Sequence, residues 1–171
     1  FLDAGSGSGH RIVNVAQHYK NCNFLGIDIS DTSLKISQTI KNKNNLKNIQ
    51  FKKYNLMNPT FNLGKFDFIL SMGVLHHLSN PNKGLENILK VLKKDGMIFV
   101  YLYGKLGGHK RILNKKLLSL FLNKKKSDYD LGIKLVRDLD MNKFEYGWNL
   151  NFKNKEEEDS LIVDSLLHAN E

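Results

Sequence analysis

The chain opens with an apolar pair, an acid and three alternating glycines, in the stretch Phe1-Leu2-Asp3-Ala4-Gly5-Ser6-Gly7-Ser8-Gly9. Apolar residues then recur at helical spacing, from Ile12 and Val13 to Ala16. Glycines in such a turn allow positive φ angles and let a ligand approach the backbone. The first turn of the following helix offers free N–H groups. This stretch therefore predicts a strand, a tight turn and a helix, with a ligand site at the turn.

The spacing of the glycines narrows the choice of ligand. A dinucleotide fingerprint, G-x-G-x-x-G, requires its third glycine at position 10, where the chain has His10. Asp3, directly before the loop, would repel a pyrophosphate and attract an ammonium group. The loop therefore favours a ligand without phosphate.

A second strand, over residues 23–29, carries Asp28 near its end. Asp28 follows the glycines by about 20 residues, where a strand–helix–strand unit places its ribose-binding acid. A carboxylate accepts hydrogen bonds from ribose hydroxyls, and each such charge-assisted contact contributes roughly 1.5–3 kcal/mol. The implied ligand has a ribose, a cationic or zwitterionic end and no phosphate.

Two further motifs complete a recognisable series, Phe66-Asp67-Phe68-Ile69-Leu70-Ser71 and Val74-Leu75-His76-His77-Leu78. Together with the glycine turn and Gly26-Ile27-Asp28-Ile29-Ser30, they resemble the class I S-adenosylmethionine-dependent methyltransferases over residues 1–103. The resemblance implies a Rossmann-like, doubly wound α/β fold with a mainly parallel sheet in the order 3-2-1-4-5. It also implies S-adenosyl-L-methionine as the cofactor and methyl transfer as the reaction.

The resemblance assigns one group of residues to the methionine end and the sulfonium. Asp3 and the backbone of the glycine loop would hold the methionine end. The residues that would line this part are Asp3, Ala4, Gly5, Ser6, Gly7, Ser71 and Met72.

The resemblance assigns a second group of residues to the nucleoside. Asp28 would take the ribose and Ile29 would pack on the adenine. Asn55 and Leu56 would reach the adenine edge, although the family usually has Asp where this chain has Asn55. The Asn amide oxygen can still accept a hydrogen bond, without charge assistance.

Hydrophobic patterning extends the strand–helix alternation to about residue 103. It predicts a helix from residue 31 to about 43, a third strand over 49–54 and a fourth over 66–71. Pro81 then opens a helix whose apolar face includes Leu92 and whose last turn carries Lys93 and Lys94, and a fifth strand covers 97–103. We therefore predict a cofactor-binding core over residues 1–104.

The remaining residues, 105–171, form a different pattern. Glycines at 104, 107 and 108 make a connection, and helices are predicted over 112–121, over 130–139 and from 156. A lysine run at 124–126 and alternating aromatics at 144, 146 and 148 lie between them. We expect an appended helical segment over the cofactor mouth, serving as a lid or acceptor region. The antiparallel strands that close the family's sheet are expected to be absent, as in a gene fragment cut at both ends.

Methyl transfer depends mainly on positioning the reactants, so the sequence needs no catalytic triad or metal cluster. A general base is required only when the acceptor must lose a proton. His76 and His77 are the near-neutral titrating groups beside the predicted mouth and are the candidate catalytic residues. The alternative for both is packing or capping around the following loop, and no metal site is predicted.

The composition limits the partners. The net charge of +9 makes nucleic acid a possible partner, but the cations are nearly all lysine in an asparagine-rich chain, which genome composition explains as well. The single Cys22 excludes an internal disulfide, and no apolar run reaches the roughly 18–20 residues of a membrane span. We expect a cytoplasmic protein; its oligomeric state is left open.

The sequence is compatible with three functions. The leading one is a methyltransferase acting on a small molecule or a macromolecule. The second is a catalytically inactive relative that still binds S-adenosylmethionine, and the third is a nicotinamide-dependent oxidoreductase.

Overall fold

The computed structural model describes residues 1–59, 61–103, 109–122, 128–139, 141 and 155–167. The chain forms two compact units, Phe1–Leu102 and Tyr103–Asn170. Among the described helices, none is both long enough and apolar enough to cross a bilayer.

The first unit is built on a five-stranded sheet. Its strands are β1 Leu2–Ala4, β2 Phe24–Asp28, β3 Ile49–Lys53, β4 Phe66–Met72 and β5 Leu92–Tyr101. Their order is β3-β2-β1-β4-β5 and every pairing is parallel. This confirms the predicted fold class and strand order. Parallel strands end at the same edge of a sheet, so the carboxyl ends of β1, β2 and β4 lie side by side.

Three helices connect these strands: α1 His10–His18, α2 Asp31–Lys43 and α3 Pro81–Leu89. Two of them begin at side-chain caps of the kind that satisfy free N–H groups. Ser30 Oγ accepts the Ser33 N–H at 3.2 Å before α2, and Asn80 Oδ1 accepts the Lys83 N–H at 3.0 Å before α3. At α1, Gly9 takes the capping position without a side chain, which leaves that helix N-terminus open.

Both faces of the sheet are covered. On one face the central strands and α3 share a cluster of buried residues: Leu2, Ala4, Leu25, Ile27, Leu56, Ile69, Leu75, Ile88 and Val91. A second cluster forms around α1, from Ile12, Val13, Ala16, Phe24 and Ile49. β1 is buried along its whole length, so Asp3 is held away from water.

The predicted boundary between α3 and β5 was wrong. The helix ends at Leu89, and Leu92 already pairs with Phe66 in the sheet. The register then shifts, because Phe68 pairs with Met97, which marks a bulge or irregularity in β5 at this point. Lys93, expected at a helix end, instead donates to Asp67 Oδ1 at 2.7 Å. At its far end β5 stops at Tyr101, short of the predicted residue 103.

The second unit is helical in its described part. It contains α4 His109–Leu118, α5 Tyr129–Asp138 and α6 Lys155–Ile162, and α6 runs into a π-helical turn, Val163–Leu167. The three helices predicted for this region are therefore present. Their shared core consists of Leu118, Val136, Met141, Ile162, Leu166 and Leu167. Arg137 of α5 joins α6 through ion pairs with Glu158, at 2.8 Å, and with Asp159.

Three features predicted from the sequence lie outside the described residues. They are the glycine connection at 104, 107 and 108, the lysine run at 124–126, and the alternating aromatics at 144, 146 and 148.

Candidate functional site

The loop between β1 and α1 is tied directly to β2. The N–H groups of Gly5 and Ser6 both donate to the carbonyl oxygen of Ile27, at 2.8 and 2.9 Å, and Gly9 N–H donates to the carbonyl oxygen of Ser6 at 3.0 Å. Gly5, Gly7 and Gly9 have φ angles of +87°, +53° and +78°. L-residues with a side chain rarely adopt these angles, which explains the three alternating glycines.

The three glycines face different surroundings. A Cβ on Gly5 would lie 2.3 Å from Val74 Cγ2, and one on Gly9 would lie 2.5 Å from Ser37 Cβ. Both contacts are far closer than van der Waals packing permits. A Cβ on Gly7 would meet nothing within 4 Å. Gly5 and Gly9 are therefore required by protein packing, whereas Gly7 borders open space.

Asp28 connects the end of β2 to this loop. Its Oδ2 accepts the Gly7 N–H at 2.8 Å, and its Oδ1 accepts the Ser30 N–H at 2.9 Å. A carboxylate has about four lone-pair positions, so each oxygen keeps the capacity for another donor. The half-buried Asp28 side chain can thus shape the loop and still accept from a ligand hydroxyl.

Asp3 ends up in the interior. Its side chain is 0% exposed, and Arg11 Nη2 lies 3.2 Å from Oδ1 and 3.4 Å from Oδ2. Burial raises the pKa of Asp3 to about 6; the Arg11 guanidinium opposes this rise, and the negative charge of Asp28 adds to it. The two carboxylates therefore act on each other within one site. A cationic ligand group there would relieve their repulsion.

The residues predicted to reach the adenine are arranged in three different ways. Ile29 is 61% exposed directly after Asp28, so it offers an apolar surface to a ligand. Asn55 Oδ1 accepts the N–H of Met57 at 2.9 Å, which turns the amide back into its own chain. Leu56 places its side chain in the core, and its carbonyl oxygen accepts Asn87 Nδ2 at 3.0 Å. Only Ile29 therefore presents a side chain that is not already engaged in the fold.

Two buried hydroxyls lie on the predicted site residues Ser6 and Ser71. Neither Oγ has a hydrogen-bond partner among the described residues. Ser6 Oγ lies 3.0 Å from where a Cβ of Gly26 would stand, and Ser71 is fully buried near the end of β4. An unsatisfied buried hydroxyl costs about 1–3 kcal/mol, so each is a position where a ligand polar atom would be stabilising. Among their neighbours, Met72 is half-buried and the side chain of Ala4 is buried in the core.

His76 and His77 lie in a 3₁₀ turn, Leu75–His77, after β4. Their rings are 4.1 Å apart and tilted by 51°, and both side chains are half-buried. Val74, at the start of the turn, is the residue that would meet a Cβ on Gly5. The turn that carries both imidazoles is thus in contact with the glycine loop.

The sequence-based list missed Arg11 and Val74. A signal for Arg11 did exist, because arginine occurs only at 11, 111 and 137 in a chain otherwise rich in lysine. Val74 opens the motif Val74-Leu75-His76-His77-Leu78, but its contact with Gly5, which makes it part of the site, is visible only in the folded chain. The described residues contain no group of three or more His, Cys, Asp or Glu side chains placed to hold a metal ion.

Comparison with known proteins identifies the family to which this chain belongs. The family model described as "Methyltransferase domain" matches residues 1–156. EEF1A lysine methyltransferase 2 of Mus musculus is 34% identical over 86 residues, which cover 50% of this chain and 35% of that protein. The chain spans 33% to 40% of the length of this and three other curated relatives that it matches.

Two solved structures share the fold. PKMT2 from Rickettsia typhi superposes with a TM-score of 0.70 at 24% identity, over 97% of this chain and 34% of that one. Coclaurine N-methyltransferase, solved with N-methylheliamine and SAH bound, gives a TM-score of 0.54 at 28% identity, over 58% of this chain and 29% of that one.

Proposed function

Because the chain belongs to the methyltransferase-domain family, matched over residues 1–156, we propose that it transfers a methyl group from S-adenosylmethionine to an acceptor. The observation that carries the proposal is the pair of carboxylates around a glycine loop. Asp28 binds the loop at Gly7, and the charge of Asp28 acts on the buried Asp3. Such a site repels phosphate and favours a ligand that carries positive charge, as the ammonium and sulfonium of this cofactor do.

For the methionine end, we assign the ammonium to Asp3 and the adjoining chain to the backbone of Gly5 and Gly7. Gly7 supports this assignment, because a Cβ there would point into open space. The partnerless hydroxyls of Ser6 and Ser71 also support it, since a zwitterionic ligand offers polar atoms to satisfy them. Ala4 takes part only through its backbone.

For the nucleoside, Asp28 accepts from the ribose hydroxyls and the exposed Ile29 packs against the adenine. We assign the adenine edge to Asn55 and Leu56. Of these, Asn55 makes the weaker contact, because its amide oxygen is already engaged by Met57 N–H.

The bound cofactor supplies an activated methyl group on a sulfonium. The chain supplies orientation: rigid strand ends fix Asp3, Asp28 and Met72 along one edge of the sheet, and correct positioning contributes several kcal/mol to such transfers. Where the acceptor must lose a proton, we assign the base to His76 or His77, whose turn contacts the glycine loop.

For the acceptor, we propose an amine, with a protein lysine as the leading class. The support comes from the similarity over half of this chain to a relative named as a lysine methyltransferase. A lysine side chain must lose a proton before it can attack a methyl group, which is the case in which a histidine base is useful. We further propose that residues 105–171 contribute to acceptor recognition.

Calorimetric titration with S-adenosylmethionine, S-adenosylhomocysteine and NADH tests the cofactor first. The proposal is supported if S-adenosylmethionine and S-adenosylhomocysteine bind and NADH does not. Tight binding of NADH, with no binding of the other two, would overturn it. Incubation with tritiated cofactor and a pool of lysine-rich proteins, followed by amino-acid analysis for methyllysine, tests the acceptor. Cofactor binding with no methyl transfer to any acceptor would instead identify a binding-only relative.

A further inference from the structure

We propose that Arg11 is a positioning residue for the cofactor's ammonium group: it holds the buried Asp3 carboxylate ionised and oriented, and so sets the affinity for the amino-acid end of the ligand. This inference rests on the proposed function and adds to the site a residue on α1.

The geometry of the pair supports this role. Arg11 Nη2 lies within 3.4 Å of both carboxylate oxygens of Asp3, while the two side chains are 38% and 0% exposed. The guanidinium therefore reaches from solvent to a carboxylate that water does not. Fixing both oxygens leaves the carboxylate a single orientation at the end of β1.

The electrostatic surroundings explain why the pair is needed. Asp3 is flanked in the sheet by Gly26 and Leu70, which carry no charge. The charged side chains that act on it are Arg11 from α1 and Asp28 from β2. Burial and Asp28 both disfavour the ionised form, so Arg11 is the side chain that opposes them.

Removing the guanidinium then has a specific consequence. With Arg11 replaced by glutamine, the pKa of Asp3 rises further and the carboxyl becomes protonated near neutral pH. A neutral carboxyl attracts an ammonium group only weakly. Lysine at position 11 keeps the charge and restores most of the effect.

The test compares wild type, Arg11→Gln and Arg11→Lys by calorimetric titration at about pH 6.5 and about pH 8.5. The probes are S-adenosylhomocysteine and 5′-methylthioadenosine, which lacks the amino-acid end. Lys20→Gln, which removes an exposed cation just beyond α1, is the control for net charge. Circular dichroism checks that each variant is folded.

We expect Arg11→Gln to bind S-adenosylhomocysteine about tenfold more weakly than wild type at the lower pH. The loss of affinity should be much smaller at the higher pH, where Asp3 ionises without Arg11. Methylthioadenosine affinity stays unchanged, and Arg11→Lys and Lys20→Gln bind nearly as wild type.

The inference is overturned if Arg11→Gln binds S-adenosylhomocysteine as tightly as wild type at both pH values. An equal loss for methylthioadenosine also overturns it, because Arg11 would then only shape the loop. So does a loss undiminished at the higher pH, which means direct contact with the ligand. Wild type that binds neither probe contradicts the proposed function instead.

Discussion

Asp28 Oδ2 accepts the Gly7 N–H at 2.8 Å, so the end of β2 fixes the one loop glycine that borders open space. The same carboxylate is the residue assigned to the ribose. Loop shape and ligand contact therefore depend on one side chain, and the two cannot be varied independently.

Asp28→Asn is expected to lower S-adenosylhomocysteine affinity by roughly 10- to 100-fold, or about 1.5–3 kcal/mol. The amide keeps one acceptor and turns an NH₂ group toward either Gly7 N–H or Ser30 N–H, where it repels the donor. Calorimetric titration measures the loss. Asp67→Asn is the matched control, because Asp67 is 79% exposed and pairs only with surface Lys93 among the described residues. Equal affinity in both variants would contradict the assignment of Asp28.

Alanine at Gly5 and at Gly7 should separate stability from binding. Gly5→Ala places a Cβ 2.3 Å from Val74 Cγ2, so we expect a loss of about 2 kcal/mol or more in unfolding free energy. Gly7→Ala meets no atom within 4 Å and should lose only about 1 kcal/mol from its positive φ, yet it should lose most cofactor affinity. Urea denaturation and titration of both variants make the comparison. Wild-type affinity in Gly7→Ala would mean that the open space is not the ligand's.

Asp3 makes stability depend on pH in a defined direction. Its pKa is raised from 3.8 to about 6 in the folded chain, so its contribution to stability is fully present below pH 3.8 and is lost as the pH rises through 6. The loss amounts to about 3 kcal/mol. Asp3→Asn removes this titration, so its stability relative to wild type should increase from about pH 4 to about pH 8, while its affinity for the cofactor falls. Denaturation curves at both pH values measure the change; a constant difference between the two proteins would rule out the raised pKa.

Ile29→Ser should lower the affinity for the cofactor about fivefold, or by roughly 1 kcal/mol, because it removes apolar surface from the proposed adenine contact. Stability should be nearly unchanged, since Ile29 is already 61% exposed. Ile36→Ser on α2 is the control, because Ile36 is also exposed, at 44%, and lies outside the proposed site. Titration of both variants is the measurement, and an equal effect at the two positions would argue against the contact.

Local patterns were enough to predict the first strand, the glycine loop and α1. The glycines at 5, 7 and 9 are forced by positive φ angles, and this requirement is visible in the residue types themselves. The order of the strands came from the family resemblance of motifs spread over about 100 residues of chain.

The errors have a common physical cause, which is competition between local and tertiary partners. Leu92 fits the apolar face of a helix and also a strand, and its pairing with Phe66 decided the outcome. The pairing of Arg11 with Asp3 needs a buried carboxylate, which only the folded chain reveals.

The close approach at Gly9 gives α2 an influence on the site from behind. Ser37 is fully buried, and its Cβ lies 2.5 Å from where a side chain on Gly9 would begin. A bulkier residue at 37 would press on the loop from the protein side and shift its amides outward. Substitution of Ser37, which lies outside the proposed ligand contacts, can therefore change how deeply the cofactor binds.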